Sequence, residues 1–205
     1  MLGAGADVVT LGDHAWDQKD LIPYLDRESR VIRPLNFAPG CPGRGFVTMK
    51  TAWGDITVVQ LIGRTFMRPY DCPFRAADAL LSKEPGLGKV ILVDMHAEAT
   101  SEKIVIGRYL DGRVSVVAGT HTHVQTSDEA VLPKGTAYIT DLGMTGGKDS
   151  SLGRDLPSVT RMFLTGMPGK WDTAKNDVVL EGLIATIDEA TGKAKSVKRI
   201  REPVG

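Results

Sequence analysis

Very little in this chain is in surplus, and each shortage closes off a class of function. There are two cysteines, Cys41 and Cys72, both in Pro-containing stretches ("GCPGRG", "YDCPFR"). Neither has a CxxC partner, which excludes a zinc knuckle and a thioredoxin-like pair and leaves two reduced thiols as the expectation. Lys+Arg and Asp+Glu balance at 25 each, so the excess positive charge that a nucleic-acid backbone binder uses is missing, and no strong nucleic-acid binding is expected. A small phosphorylated substrate stays open, because a metal supplies local charge that a residue count misses. No apolar run is long enough to span a bilayer, and the N-terminus lacks the charged-then-apolar layout of a signal peptide. A cytoplasmic protein without membrane contact is the default reading. "GMTGGKDS" is Gly-rich but lacks the GxxxxGK[ST] frame of a phosphate-cradling loop, and Ser150 and Ser151 have no GxSxG frame. Trp16, Trp53 and Trp171 come without a basic stripe and read as packing residues rather than a base-stacking platform.

What is present is enough for a packed core: 205 residues, 42% of them hydrophobic, without an internal repeat or domain boundary. A single domain over 1–205 is expected. "DVVTL" (7–11) reads as a buried strand, followed by a helix capped by Asp17 and running through about Ser29. "VIRPLNF" (31–37) reads as a short strand, at an edge because Pro34 lacks a donor. Residues 46–63 read as a β-hairpin turning near Trp53-Gly54-Asp55. Then strands and helices alternate: a helix over 72–84, a strand over 89–95, a helix over 100–112 and a strand over 114–120. A strand over 135–143, a Gly-rich loop, a helix over 156–167 and a hairpin over 177–200 complete the chain. The expected class is α/β with a mixed sheet or two packed sheets.

The four histidines share one kind of address. His14 follows "DVVTL" by three residues, His96 directly follows "KVILVDM", and His121 and His123 directly follow "VSVVAGT". Open α/β sheets place their sites at the carboxyl ends of strands, so four of four at such ends point to one metal or catalytic cluster. In extended backbone residues i and i+2 point to the same side, which would send both His121 and His123 into it. Asp13, Asp94 and Glu98 are the carboxylates beside these rings, and imidazole with carboxylate suits iron, manganese or zinc. Asp141 reads as structural. Arg64, at the end of "VVQLIGR", has the geometry to grip a phosphate, or simply to sit solvated at a strand end.

"GDHAWD", "HAEATSEK", "GTHTHVQT" and "TDLGMTG", with "RPLNFAPGCPGRG", "GRTFM" and "DCPFRAAD", resemble the YmdB-like branch of the calcineurin-like metallophosphoesterases over nearly the whole chain. The resemblance implies a metallophosphoesterase-type α/β/β/α sandwich of two packed mixed sheets flanked by helices. It implies 2′,3′-cyclic-nucleotide 2′-phosphodiesterase activity, homo-oligomeric assembly and two metal ions, iron or manganese before others. By that match Asp13, His96, His121 and His123 are metal ligands and His14 is the general acid that protonates the leaving oxygen. Asp13 stands where the family usually has Asn, which adds negative charge and would tighten metal binding. The family's opening strand, ending in a metal-binding Asp, and its Gly-Glu-Asn motif do not occur in this sequence. The expectation is therefore an N-terminally incomplete domain that holds one metal well, through Asp13, His96 and His121, and a second weakly through His123. Two rival readings follow: a catalytically weak metal-binding or assembly module of the same fold, and a mononuclear metallohydrolase using Glu98 as general base.

Overall fold

The structure, a computed structural model, describes residues 1–204. Its centre is a six-stranded sheet in the order β3-β4-β5-β6-β8-β7, built from β3 (Phe46–Thr51), β4 (Gly54–Ile62), β5 (Val90–His96), β6 (Val116–Thr120), β7 (Ala130–Val131) and β8 (Ala137–Ile139). β4, β5, β6 and β8 run parallel, and β3 and β7 are antiparallel edges. Parallel neighbours need crossovers. Here these include α2 (Pro73–Lys83) between β4 and β5 and α3 (Thr100–Tyr109) between β5 and β6.

Alternation along the strands decides which face each residue serves. Ile91, Val93 and Met95 of β5 join Val59 and Leu61 of β4 and Val117 of β6 in one core, which α2 closes with Ala77 and Leu80 and α3 with Ile106. The intervening residues face the other way. Val116 and Ala137 are covered there by a second, antiparallel sheet of β9 (Thr145–Gly147), β10 (Val178–Ile187) and β11 (Ala194–Pro203). Leu183, Ala185 and Ile187, two residues apart on β10, and Val197 on β11 make that contact, with Leu92 and Ala118 on the opposing sheet. α4 (Leu156–Thr165), capped by the Asp155 side chain, lies between β9 and β10 in the chain. The architecture is the expected metallophosphoesterase-type α/β sandwich of two packed sheets with helices.

Four elements differ from expectation, the first being the buried strand expected over 7–11, of which only Val9 and Thr10 form a strand, half-buried rather than buried. The helix predicted from Asp17 to Ser29 is reduced to α1 (Leu21–Leu25). Asp20 gives it no side-chain cap, Pro23 contributes no N–H, and of its apolar residues only Leu25 is buried. The strand predicted over 31–37 stops at β2 (Val31–Ile32), which pairs in parallel with β1 (Val9–Thr10) in a separate small sheet. Beyond it two backbone bonds remain, from the Arg33 N–H to the Arg44 carbonyl (3.0 Å) and from the Leu35 N–H to the Gln60 carbonyl (2.7 Å), and a side chain then takes over. The Asn36 Nδ2 donates to the Ile62 and Asp71 carbonyls, and its Oδ1 accepts from the Ile62 N–H. The strand predicted over 135–143 ends at Ile139, and the "Gly-rich loop" after it contains β9. Trp53 does not pack. It is exposed at the β3–β4 turn.

Candidate active site

At the carboxyl ends of β4, β5 and β6 the face toward the second sheet turns from apolar to polar. Val58, Leu92 and Ala118 give way to Gln60, Asp94 and Thr120. These three are locked together: Gln60 Nε2 donates to Asp94 Oδ2 (2.9 Å) and Thr120 Oγ1 donates to Asp94 Oδ1 (2.7 Å). The Leu11 N–H donates to Gln60 Oε1 (3.0 Å), fixing the start of the 3₁₀ turn Gly12–His14 over the strand ends. Ala15 and Trp16 then anchor the far side of that turn in a small apolar cluster with Phe37, Ile62 and Tyr70. Trp16 packs, as its sequence context suggested.

Three side chains converge at this point. Asp13 Oδ1 lies 2.8 Å from His96 Nε2, His121 Nδ1 lies 3.1 Å from His96 Nε2, and Asp13 Oδ1 and His121 Nδ1 are 3.8 Å apart. Asp13, His96 and His121 form the metal-competent cluster found among the described residues. A triangle of those sides has a point about 2 Å from all three atoms, an ordinary metal–ligand distance. The proton arrangement makes the same case. Because Thr120 gives its hydroxyl proton to Asp94, it accepts from His96 Nδ1–H (3.0 Å). His96 Nε2 then faces a carboxylate and a second imidazole with a lone pair, and the group requires a cation, either a further ring proton or a metal ion. The hydrogen bond with His96 holds the Asp13 carboxyl down at about 2, against the opposing effect of partial burial. Burial and then the neighbouring His96 push His121 below the usual imidazole range, which favours the neutral, ligating form. Glu98 Oε2 lies 3.2 Å from His121 Nε2, orienting the ring from outside with Nδ1 turned inward.

Two backbone features make the convergence possible. Gly12 has φ +65°, and a Cβ there would lie within 2.7 Å of three atoms of the His96 ring, so glycine is required on both counts. His121 and His123 also have positive φ, 95° and 62°. That backbone is not extended, and the same-side geometry expected of the His-x-His pair does not form: His121 enters the cluster, whereas His123 stands outside it, exposed. A fully buried ion pair restrains this loop. Lys103 Nζ on α3 donates to the Thr120 carbonyl (3.0 Å), Thr122 Oγ1 (3.0 Å) and Asp141 Oδ2 (2.8 Å). Asp141 in turn accepts from the N–H and hydroxyl of Thr122 and from the Gly143 N–H. Asp141 is structural, as expected, but its work is to brace the histidine loop.

His14 is exposed beside the cluster. Its Nδ1 lies 2.8 Å from Asp17 Oδ2 and its Nε2 3.7 Å from Asp13 Oδ1, so Asp17 orients the ring. Asp13, His14 and His121 open into a cavity of about 440 Å³, lined also by Asp17, Phe66 and Arg68. Arg64 lines a different cleft, of about 720 Å³, with Arg33, Arg44 and Arg75. The sequence named Asp94 as a carboxylate beside the rings and Asp17 only as a helix cap; it gave no role to Gln60, Phe66, Arg68, Lys103 or Thr120, although Phe66 and Lys103 lie inside the stretches "GRTFM" and "HAEATSEK".

A family model described as "YmdB-like protein" matches residues 1–200. The chain is 44% identical, over 200 residues, to the 2′,3′-cyclic-nucleotide 2′-phosphodiesterase of Bacillus subtilis, spanning 98% of this chain and 76% of that protein. Among solved structures, a hypothetical protein from Thermus thermophilus superposes with a TM-score of 0.92 at 42% identity, covering 98% of this chain and 78% of that one. A structure titled as a novel phosphatase from Mycoplasma pneumoniae gives a TM-score of 0.91 at 32% identity, covering 98% and 74%.

Proposed function

The chain belongs to the YmdB-like protein family, and from that premise we propose that it hydrolyses 2′,3′-cyclic nucleotides or related small phosphodiesters in a metal-dependent reaction with His14 as the general acid. The relative with 44% identity carries that activity in its name. The observation that carries the reading is the convergence of Asp13 Oδ1, His96 Nε2 and His121 Nδ1. These residues fit a divalent ion, and a bound ion would supply Lewis-acid charge for the phosphoryl oxygens and a nucleophile at neutral pH. His123, exposed and two residues beyond His121 in the chain, is the proposed contributor to a second metal position, and iron or manganese the proposed identity.

The chain's own groups then have defined tasks. Water adds to phosphorus and the P–O2′ bond breaks, leaving the 3′-phosphate. His14 Nε2 delivers the proton that the departing O2′ takes up, and Asp17 holds Nδ1 so that Nε2 points over Asp13. Arg68, lining the same cavity, is the proposed partner of the phosphate oxygens in preference to Arg64, which opens into the neighbouring cleft. Activity in an oligomer is part of the same proposal.

The test is hydrolysis of adenosine 2′,3′-cyclic phosphate with added Mn²⁺ and, separately, after chelation. Expected are the 3′-monophosphate as product, loss of turnover with chelator, and a kcat lowered at least roughly 100-fold in His14→Ala. Turnover that survives complete metal removal, or no turnover at any metal loading, overturns the proposal.

A further inference from the structure

Phe66 has no part in the chemistry above, yet the structure places it with care. Its side chain is 88% exposed and its φ is +62°, a backbone region that non-glycine residues avoid. Neither feature is a loose-loop effect, because the turn beneath it is clamped. The Gly63 N–H donates to the His96 carbonyl (2.9 Å). The N–H groups of Arg64 and Thr65 both donate to the Glu102 carboxylate of α3 (3.1 to 3.2 Å). The Met67 N–H closes onto the Arg64 carbonyl (3.2 Å), and Met67 itself packs with Phe37 and Tyr70. Phe66 is therefore held out from the apolar cluster that its neighbour joins. It stands on the wall of the cavity shared by Asp13, His14 and His121. The other aromatic ring on that wall, Tyr70, is already stacked on Phe37 at 5.0 Å between centroids.

We propose that Phe66 is the base-recognition residue of the site: its ring stacks on the nucleobase of a substrate whose phosphodiester lies at the Asp13–His96–His121 cluster. This rests on the nucleotide reading above and narrows it to substrates carrying a base. An exposed aromatic face on a backbone already held in place takes up a planar base at the cost of ordering one side chain alone. Every base has such a face, so the contact favours nucleotides over base-free phosphodiesters and discriminates little among the four bases.

The test compares adenosine 2′,3′-cyclic phosphate with the 2′,3′-cyclic phosphate of 1-O-methylribose, which has no base, using the intact chain. In Phe66→Ala the ratio of kcat/KM between the two falls roughly tenfold, carried by KM, with an unchanged melting temperature because the side chain is solvent-exposed. Phe66→Trp restores the ratio, and the fluorescence of the introduced indole is quenched by adenosine 3′-monophosphate beyond any response of Trp16, Trp53 and Trp171 in the parent. An unchanged ratio, an equal loss on both substrates, or an emission from the Phe66→Trp variant that is indifferent to the nucleotide overturns the proposal. If neither cyclic phosphate is hydrolysed, the nucleotide-hydrolase reading falls, and the fluorescence titration still decides whether the ring stacks on a base.

Discussion

Lys103→Met separates bracing from chemistry. The wild-type pair is dry: the side chains of Lys103 and Asp141 are 1% and 0% exposed, with Nζ and Oδ2 at 2.8 Å. Methionine keeps most of the volume and deletes the charge. Asp141 retains three donors, the Thr122 N–H and hydroxyl and the Gly143 N–H, but loses its counter-charge. Breaking a buried pair from one side costs about 3–5 kcal/mol. The carboxylate has an escape, since placing a proton on an ordinary aspartate at pH 7 costs about 4 kcal/mol, which caps the penalty. At pH 5 the same cap is about 1.5 kcal/mol. Urea unfolding of Lys103→Met should therefore show a loss of about 3–4 kcal/mol at pH 7 that shrinks as the pH falls to 5. Adding Asp141→Asn should recover about 2 kcal/mol at pH 7, because no unpaired charge remains. Freed of its clamp, the His121–His123 loop should also hold metal roughly tenfold more weakly in the folded variant, measured by chelator competition. A loss below about 1 kcal/mol, a penalty independent of pH, or a double variant no better than the single one would refute the reasoning.

Gly12→Ala forces a Cβ against the His96 ring at a φ of +65°, and should cost about 2–4 kcal/mol in urea unfolding and abolish metal-dependent turnover. Asp17→Asn removes the carboxylate 2.8 Å from His14 Nδ1, and should lower kcat about tenfold in steady-state kinetics with little change in stability, since both groups are exposed. Burial raises the Tyr138 phenol from 10.0 to about 12. The unfolded chain then ionises first, so stability is full below about pH 10 and falls by about 2–3 kcal/mol as pH rises to about 12. Tyr138→Phe should flatten that limb in urea midpoints taken across about pH 9–12.

The parallel core was legible because its signals are local. "KVILVDM" is continuously apolar, as a strand covered on both faces must be, and the structure has β5 at 90–96. The two hairpins and helices α2, α3 and α4 follow from turn residues and apolar spacing in the same way. β2 was overestimated because the Asn36 side chain takes up the backbone groups of Ile62, a tertiary contact that periodicity does not register. α1 was overestimated against a local signal, since Pro23 cannot donate within a helix that starts at Asp17.

The sequence by itself determined that three imidazoles would stand at strand ends, since β5 and β6 are parallel neighbours and chain order sends both exits to one edge. Tertiary structure decided which of them meet. His121 and His123 differ by two residues, and an extended chain would have sent both inward, but left-handed backbone held by Lys103 and Asp141 turns only His121 to Asp13 and His96. That choice depends on a buried ion pair linking residues 38 positions apart, an energy that exists only once the layers have closed and water has left.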